Sequence, residues 1–368
     1  MNCNILIIGS TGRLGIKLTQ YCYLNNINIH GATCYKNIKL LEKISKKNKI
    51  NHTFTLNNNK SFSNFLNYLT KYKFNIIYFL DYGAISIKIL KQILLTQVNC
   101  NIAIANKEMI IAGGRLLIRE IENSKNIFIP LDSEHFSLLN LKLYNDEVDK
   151  IFITASGGPF YFKKKLNLLN VNKKKVLSHP KWDMGFNNLI DSSNFINKLL
   201  EIFELSSIFD IDIKKIDFVV SPSAYIHSIV LFKDGHTIYN CFNNDMLIPL
   251  LKPLRSFYYL EPFKINLKNI KPKDFYFEKA KDKRFKILNY FKFLKEMPHI
   301  NQIKFMIINN YAQNLYLNNK FKYSDILPYI LNQLNNTNIK KYKLKNFDDI
   351  IIYINFLKKI YKFENVIN

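Results

Sequence analysis

Residues 4–15, NILIIGSTGRLG, decide the fold of this chain. A short apolar strand over residues 4–9 runs into glycines at positions 9, 12 and 15, and a helical pattern covers residues 12–24. Glycines at this spacing permit a tight turn and a close approach of the backbone to a pyrophosphate, which the amino terminus of the helix then binds. The stretch favours a dinucleotide-binding βαβ unit, and a plain tight turn is the alternative.

Strand-like and helix-like segments alternate through the first 150 or so residues, which indicates a parallel α/β sheet. Strands of this sheet are predicted at 27–34, 74–81, 101–105, 126–131 and 149–155, with a helix at 84–96. Loops are predicted over 156–188 and an amphipathic helix over 193–208. The pattern then predicts a strand at DFVV (217–220), a hairpin across Lys233-Asp234-Gly235, and helices from about 275 to the end.

Composition excludes several classes of protein. The 368 residues carry a net charge of +25, but only five of the 53 basic residues are arginine. Lysine, asparagine and isoleucine have AT-rich codons, and nucleic-acid readers also use the arginine fork, so no nucleic-acid partner is expected. No run of about 18 apolar residues predicts a membrane span. The five cysteines are scattered, and the first predicted strand shows no pattern of a secretory signal or transit peptide. Together with the AT-rich codons, these features favour the cytoplasm of a bacterium with a reduced, AT-rich genome, and an organelle is the alternative.

The end of the second predicted strand indicates which dinucleotide binds. An acid that binds the ribose hydroxyls of NAD is usual there, yet no Asp or Glu occurs between Gly9 and Glu42. Tyr35-Lys36-Asn37 occupies this position instead. A lysine suits a 2′-phosphate and therefore favours NADPH, although Lys36 could also be one more surface lysine.

A pair of acids follows the strand at 126–131. Asp132 and Glu134 are two residues apart and share a face if the strand continues. Carboxylates at the carboxyl end of a strand suit a hard divalent cation such as Mg²⁺ or Mn²⁺. On spacing alone, capping of the following helix by Asp132 or Ser133 is the favoured alternative.

The helix at 193–208 carries a second polar group. Asn197 and Lys198 precede Glu201 by four and three residues, so both neighbour it on the helix surface. With Ser192 just before the helix, they form a plausible phosphate clamp, and Glu201 is a candidate third metal ligand. A solvated face with an ordinary Lys–Glu pair is the favoured alternative without further information.

Three loop or strand residues complete the candidates. Ser156, in Ser-Gly-Gly-Pro, could present a hydroxyl and backbone N–H groups to an anion, or lie in an ordinary turn. Trp182 lies in a polar HPKWDMG stretch, which suggests a lid over a substrate, with a buried tryptophan as the alternative. His227 lies in a strand-like run and could be a core histidine.

Eight motifs occur in order between residue 1 and about residue 250: GSTGRLG, YKN, ANKE, PLDSEH, ASGGPF, HPKWDMG, DSSNFINKLLE and YIHSIVLFKDG. This series resembles the 1-deoxy-D-xylulose-5-phosphate reductoisomerase family. The resemblance implies an NADPH- and divalent-metal-dependent conversion of 1-deoxy-D-xylulose 5-phosphate to 2-C-methyl-D-erythritol 4-phosphate, by rearrangement and hydride reduction, in non-mevalonate isoprenoid biosynthesis. It also implies a homodimer, and the lack of a long apolar run leads us to expect no membrane partner.

The resemblance implies an α/β enzyme in three parts. These are a Rossmann-like NADPH domain over 1–148, a central α+β catalytic, metal and dimerisation domain over 149–270 with a flap near 179–188, and a C-terminal helical domain over 271–368. Motif by motif, it assigns cofactor contacts to Gly9, Thr11, Gly12, Arg13, Leu14, Tyr35, Lys36, Asn37, Asn106, Glu108 and Gly185. It assigns metal ligands to Asp132, Glu134 and Glu201, and substrate contacts to Lys107, Ser133, Ser156, His179, Trp182, Met184, Ser192, Asn197, Lys198 and His227.

Some residues depart from the family pattern. Arg13 replaces a serine, Tyr35 a glycine, Asn187 a lysine and Leu199 a glycine. Two other functions therefore remain open: a related NADPH oxidoreductase acting on another phosphorylated sugar, and a non-catalytic basic binding protein on the same scaffold.

Overall fold

The computed structural model describes residues 3–163, 165–181, 184–263, 275–336 and 342–361. Contacts divide the chain into two compact units, one within residues 1–139 and 245–264 and the other within 140–244 and 265–367. The division into three functional parts stays a prediction, and its boundary at 270–271 lies outside the described residues.

The first unit contains a six-stranded parallel sheet. Its strands are β1 (Ile5–Ile8), β2 (Gly31–Cys34), β3 (His52–Thr55), β4 (Ile76–Phe79), β5 (Asn101–Ile104) and β6 (Ile127–Pro130). They lie in the order β3-β2-β1-β4-β5-β6, which is the order of dinucleotide-binding folds. The predicted Rossmann-like domain is therefore confirmed, although β2 begins later than predicted and β3 was not predicted.

Helices connect the strands of this sheet. They are α1 (Arg13–Leu24), α2 (Ile38–Asn48), α3 (Asn59–Lys71), α4 (Ile87–Thr96) and α5 (Lys107–Asn123), and α6 (Ser133–Phe136) follows β6. The strands β1, β2, β4 and β5 are buried at every position. Helices on both faces of a parallel sheet require such uninterrupted apolar strands, so the short apolar runs in the sequence have a direct structural cause.

A later segment of the chain completes this unit. It contains α10 (Leu247–Leu251). The hydroxyl of the buried Tyr78 donates a hydrogen bond of 2.8 Å to the carbonyl of Leu250. Lys17 forms an ion pair of 2.6 Å with Asp245. These contacts join residues more than 170 positions apart in sequence.

The second unit contains a four-stranded sheet. Its strands are β7 (Val148–Ala155), β8 (Ile216–Val220), β9 (Ile226–Phe232) and β10 (Thr237–Cys241), in the order β10-β9-β7-β8. The predicted hairpin is confirmed as the antiparallel pair β9–β10. The prediction that 149–155 extends the first sheet is wrong, because β7 pairs with β8 and β9 instead. Side-chain alternation identifies a strand but does not identify its partner.

The helices of the second unit are α7 (Lys173–Val176), α8 (Phe186–Asn194), α9 (Ile196–Phe209), α11 (Phe291–Lys295), α12 (His299–Leu317), α13 (Ile326–Asn336) and α14 (Phe347–Ile360). The helix predicted over 193–208 is confirmed as α9, except at its start, because residues 193 and 194 belong to α8 and Phe195 adopts a φ of +68° between α8 and α9. Its buried ring packs against Phe218 and Phe285, with centroids at 5.3 and 4.8 Å. This packing offsets the cost of the left-handed conformation.

None of the helices in the described ranges combines the length and apolar character that crossing a lipid bilayer requires.

Candidate cofactor, metal and substrate sites

The glycine-rich turn lies between β1 and α1 in the first unit. Gly9 has a φ of +88°, and a Cβ there would lie 2.5 Å from the backbone nitrogen of Asp81. A Cβ on Gly15 would lie 2.4 Å from the carbonyl oxygen of Gly9. Only glycine fits these two positions. Gly12 and Arg13 are exposed at the amino terminus of α1, where a pyrophosphate would bind.

The residues after β2 lie where the sequence predicts the 2′-phosphate site. Tyr35, Lys36 and Asn37 are all exposed at the carboxyl end of this strand. The Asn37 side chain accepts a hydrogen bond of 3.2 Å from the backbone N–H of Leu40 and thereby caps α2. Tyr35 and Lys36, which precede Asn37, present an aromatic ring and an ammonium group at the edge of the sheet where the adenosine end of a dinucleotide binds in such folds.

The residues after β5 are fixed by hydrogen bonds within the first unit. Asn106 caps α5 by accepting a bond of 2.9 Å from Met109. Its amide donates to the Asp81 carboxylate at 3.2 Å and to the Gly83 carbonyl at 3.1 Å. Asp81 was not predicted from the sequence, although its position directly after β4 marks it as a residue of the carboxyl edge of the sheet.

Two carboxyl groups near this edge have raised pKa values. Burial raises the pKa of Glu108 to about 7, against smaller lowering contributions from its own backbone N–H and from Lys107. Burial also raises the pKa of Asp81 to about 6, although hydrogen bonds from Ser86 and Asn106 oppose the shift. Near neutral pH, Glu108 is therefore close to the midpoint between the acid and the carboxylate, whereas Asp81 is mostly ionised.

Asp132 follows β6 and pairs with a cation. Lys107 donates to its carboxylate at 2.9 Å, and the two side chains are only 8% and 22% exposed. Burial by itself would raise the pKa of Asp132, but the charges of Lys107 and His135, a hydrogen bond from Lys107 and the side-chain contact with Glu134 lower it well below its usual value. The carboxylate therefore stays ionised at every ordinary pH.

The acids after β6 are arranged differently from the prediction. The strand ends at Pro130, so Asp132 and Glu134 do not share a strand face as the sequence suggested. Asp132 has the N-cap position of α6, but its side chain makes no capping hydrogen bond, so the capping alternative fails for this residue. The hydroxyl of Ser133, which is buried, donates to the Glu134 carboxylate.

These groups fit a divalent cation by their chemistry. Asp132 and Glu134 offer carboxylate oxygens, the ligands that Mg²⁺ and Mn²⁺ prefer. A ligand must also be deprotonated when the metal binds, and the lowered pKa of Asp132 satisfies this condition.

In the second unit, Ser156 and His179 come together. The Ser156 hydroxyl lies 3.0 Å from the Nε2 atom of His179. The backbone N–H of Gly158 donates to the same hydroxyl at 3.3 Å. Gly158 has a φ of +60°, and a Cβ there would lie 2.5 Å from the carbonyl oxygen of Ser192. The turn after β7 therefore brings three predicted substrate residues to one place in this unit.

The polar residues of α9 are buried, so the alternative of a solvated helix face is wrong. Asn197, Lys198 and Glu201 are 9%, 7% and 2% exposed. The Asn197 amide donates to one Glu201 oxygen, and the Lys198 ammonium lies 2.5 Å from the other. Buried charges of this kind are costly unless they are paired, so the spacing of three residues provides the necessary partner.

Asp191 is a further buried acid that the sequence did not single out for a role of its own. The amides of Asn309 and Gln313 donate to its carboxylate at 3.0 and 2.6 Å. All three side chains are at most 3% exposed. The cluster fixes α8, which carries Ser192, against α12.

The remaining predicted residues have varied surroundings. His227 is buried, stacks on the Phe242 ring at 3.9 Å and lies 3.2 Å from the Phe242 carbonyl, as a core histidine would. Gly185 has the N-cap position of α8, and Met184 is half-buried just before it. Trp182 and the neighbouring part of the predicted flap lie outside the described residues.

Sequence reasoning missed two buried titratable residues that lie close in sequence to predicted metal ligands. His135 is fully buried on α6, and its charge contributes to the lowered pKa of Asp132. Glu204 is 1% exposed and follows Glu201 by one helical turn on α9. The signal that could have found both is their spacing of three residues from a predicted metal ligand, on a helix whose polar face is buried.

The first unit has the sheet order, the glycine turn and the exposed lysine after β2 that are typical of a nicotinamide-nucleotide-dependent enzyme. The acids after β6 in the same unit suit a divalent metal. The model of the 1-deoxy-D-xylulose 5-phosphate reductoisomerase C-terminal domain matches residues 128–209. The chain belongs to the 1-deoxy-D-xylulose 5-phosphate reductoisomerase family, because it is similar over almost its whole length to members of that family.

Two relatives show the extent of the similarity. The 1-deoxy-D-xylulose 5-phosphate reductoisomerase of Pelagibacter ubique is 32% identical over 94% of this chain and 95% of the relative. The corresponding protein of Clostridium novyi is 30% identical over 98% of both chains.

Solved structures agree on the fold. A DOX-P reductoisomerase in complex with NADPH, fosmidomycin and magnesium matches 98% of both chains with a TM-score of 0.85 at 20% identity. The Zymomonas mobilis reductoisomerase in complex with NADPH matches with a TM-score of 0.79 at 21% identity. The mixed α/β fold with a Rossmann-like first part is therefore shared.

Proposed function

We propose that this chain converts 1-deoxy-D-xylulose 5-phosphate to 2-C-methyl-D-erythritol 4-phosphate with NADPH and a divalent metal. The observation that carries the proposal is the burial of Lys198 and Glu201 as a charged pair on α9, within a motif of the family. A buried pair costs more stability than an apolar pair of the same volume. Retention of the pair in a diverged chain is explained by a function in binding charged groups.

The cofactor is proposed to bind at the carboxyl edge of the six-stranded sheet. Its pyrophosphate lies against the turn at Gly9 and Gly12 and the amino terminus of α1, where backbone N–H groups provide the donors. Lys36 binds the 2′-phosphate. The complete proposed set is Gly9, Thr11, Gly12, Arg13, Leu14, Tyr35, Lys36, Asn37, Asn106, Glu108 and Gly185. NADPH, when bound, supplies the hydride for the reduction.

The metal ligands are proposed to be the carboxylates of Asp132, Glu134 and Glu201. The lowered pKa of Asp132 and the burial of the other two support this assignment. A bound Mg²⁺ or Mn²⁺ acts as a Lewis acid on substrate oxygens. The ammonium of Lys107 holds the Asp132 carboxylate in place and adds positive charge beside the position of the substrate's polar groups.

The substrate's phosphate is proposed to bind to Ser156, His179, Ser192, Asn197 and Lys198. The hydroxyl of Ser156 and the ring of His179 are already in contact, so this part of the pocket is organised before a ligand binds.

The other substrate contacts are proposed to be Lys107, Ser133, Trp182, Met184 and His227. Binding of the remote phosphate provides energy for closing the segment near 179–188 over the substrate and for excluding water.

Three further properties belong to the same proposal. The protein acts as a homodimer, whose mass analytical ultracentrifugation measures. Either magnesium or manganese supports the reaction, which a titration with each metal compares. The protein works in a reducing compartment such as the cytoplasm, in keeping with its five free thiols, four of them buried.

The test follows NADPH absorbance with purified protein, 1-deoxy-D-xylulose 5-phosphate and Mg²⁺ or Mn²⁺. Substrate-dependent NADPH loss is expected, and it should need the metal. Asp132→Asn should abolish it, whereas the matched control Asp146→Asn, at an exposed aspartate, should leave it unchanged.

A folded protein that binds NADPH but does not turn over this substrate would contradict the proposal. A panel of other phosphorylated sugars, run with the same assay, then tests whether the chain is a related oxidoreductase with a different substrate.

A further inference from the structure

Arg284 makes an unusual number of hydrogen bonds for one side chain. Its Nη1 atom donates to the carbonyls of Lys163 and Leu166 at 2.7 and 3.1 Å. Its Nη2 atom donates to the carbonyls of Phe160 and Tyr161 at 3.3 and 3.2 Å. The guanidinium group therefore gathers four backbone carbonyls of one short segment.

The partner of this guanidinium is Asp282. The Nε atom of Arg284 donates to both Asp282 oxygens at 3.1 Å, and Nη2 donates to one of them at 2.7 Å. The two side chains are 21% and 10% exposed. Every N–H group of the guanidinium thus has an acceptor, and the acid fixes the plane in which the other four bonds form.

The gathered carbonyls belong to a series of turns. The backbone N–H of Lys163 donates to the Phe160 carbonyl at 2.9 Å, and that of Leu166 donates to the Lys163 carbonyl at 3.0 Å. Carbonyl oxygens are hydrogen-bond acceptors with partial negative charge, which a guanidinium cation stabilises. An ammonium group has three donors around one nitrogen and cannot reproduce a planar fork with five.

This segment continues directly from the turn that carries Ser156. The backbone N–H of Tyr161 donates to the carbonyl of Gly157 at 3.2 Å. Phe160 is fully buried and packs edge-on against the Tyr323 ring, whose hydroxyl donates to the carbonyl of Ser193 at 2.9 Å. A shift of the segment would therefore move Ser156 relative to the end of α8.

Composition adds an independent argument. Lysine takes 48 of the 53 basic positions of this chain, so an arginine is the exception. Arg284 is one of only five arginines, and its hydrogen-bond geometry depends on the planar fork that a lysine lacks.

We propose that Arg284 is a positioning residue for the phosphate pocket, holding the described residues 157–163, 165 and 166 and through them the hydroxyl of Ser156. This inference rests on the proposed function, which assigns Ser156 to the substrate's phosphate. Asp282 contributes to the same positioning role because it orients the guanidinium group of Arg284.

The test uses the full-length protein and the variant Arg284→Lys, which keeps the charge but removes the fork. The KM for 1-deoxy-D-xylulose 5-phosphate and the inhibition constant of inorganic phosphate should both rise about 10- to 100-fold, as for a misplacement near 1 Å. The KM for NADPH should stay unchanged. The matched control is Arg255→Lys, because Arg255 also donates to two backbone carbonyls, those of Leu260 and Glu261, but lies in the first unit.

Two results would overturn the inference. One is an Arg284→Lys protein with unchanged KM and inhibition constants. The other is a decrease in kcat that only follows the folded fraction in thermal unfolding, which is the result expected of a merely structural residue.

If Arg284→Lys does not fold, Asp282→Asn replaces it, since this variant keeps the arginine. An increase of about threefold or more in the same two constants supports the inference, and unchanged constants in folded Asp282→Asn overturn it.

Absence of turnover in the wild-type protein would refute the proposed function instead. Stabilisation of the wild-type protein by inorganic phosphate, compared with Arg284→Lys in thermal unfolding, then still tests the positioning role.

Discussion

Gly158→Ala is the substitution for which the structure gives the sharpest prediction. A Cβ at this position would lie 2.5 Å from the carbonyl oxygen of Ser192, whereas ordinary van der Waals contacts of a Cβ begin at 3.4 Å. The atom it meets belongs to the backbone of α8 and cannot rotate away. The turn after β7 must therefore retreat from Ser192 by about 1 Å.

The retreat separates groups that the proposed phosphate pocket needs together. A misplacement of about 1 Å costs up to about 100-fold in rate, so kcat/KM for 1-deoxy-D-xylulose 5-phosphate should fall about 10- to 100-fold. The left-handed φ of +60° adds about 1 kcal/mol of strain in the folded state.

Gly235→Ala is the matched control for this prediction. Gly235 also has a positive φ, +93°, but no atom lies within 4 Å of the Cβ position. This variant should show the backbone strain in urea unfolding while its kcat/KM stays within about threefold of the wild-type value. Equal kcat/KM values for the two variants, measured by NADPH absorbance, would refute the reasoning that the close approach to Ser192 organises the pocket.

Three further predictions concern stability. Because burial raises the pKa of Glu108 from 4.5 to about 7, the folded protein holds a proton that the unfolded chain releases, and stability falls as pH rises between these values. In urea unfolding, the free energy of unfolding of the wild-type protein should fall by about 3 kcal/mol over that pH range, and Glu108→Gln should not show this loss. Parallel pH curves for the wild-type protein and Glu108→Gln would contradict this. Tyr78→Phe should lower the unfolding free energy by about 1–3 kcal/mol, because the buried carbonyl of Leu250 loses its donor, and a change within the error of the urea titration would speak against it. Gln313→Leu removes a donor from the buried Asp191 and should cost about 1.5–3 kcal/mol in thermal unfolding, whereas an unchanged midpoint would mean that the bond contributes nothing.

The sequence by itself determined the features that depend on near neighbours. The glycine spacing at positions 9, 12 and 15 predicted a turn that the structure shows to be closed to any other residue at Gly9 and Gly15. Apolar runs and turn residues identified most strands of the first sheet and the hairpin β9–β10, because side-chain periodicity is a local property. The spacing of Lys198 and Glu201 predicted their pair for the same reason.

The tertiary structure decided which surfaces are buried and which distant groups meet. It placed β7 in the second sheet, because alternation does not specify a partner strand. It also buried the polar face of α9, which the pattern alone read as solvated. Phe195 sets the start of α9 three residues later than predicted, because its ring packs against Phe218 and Phe285, which lie 23 and 90 residues further along the chain.

The same distinction holds for the charged groups. The contact between Lys107 and Asp132 spans 25 residues, and that between Asn309 and Asp191 spans 118. The bonds from Arg284 to the segment after Gly158 span up to 124. Local backbone preferences cannot encode such pairs, because they form only when the free energy of packing the whole unit brings the two parts of the chain together.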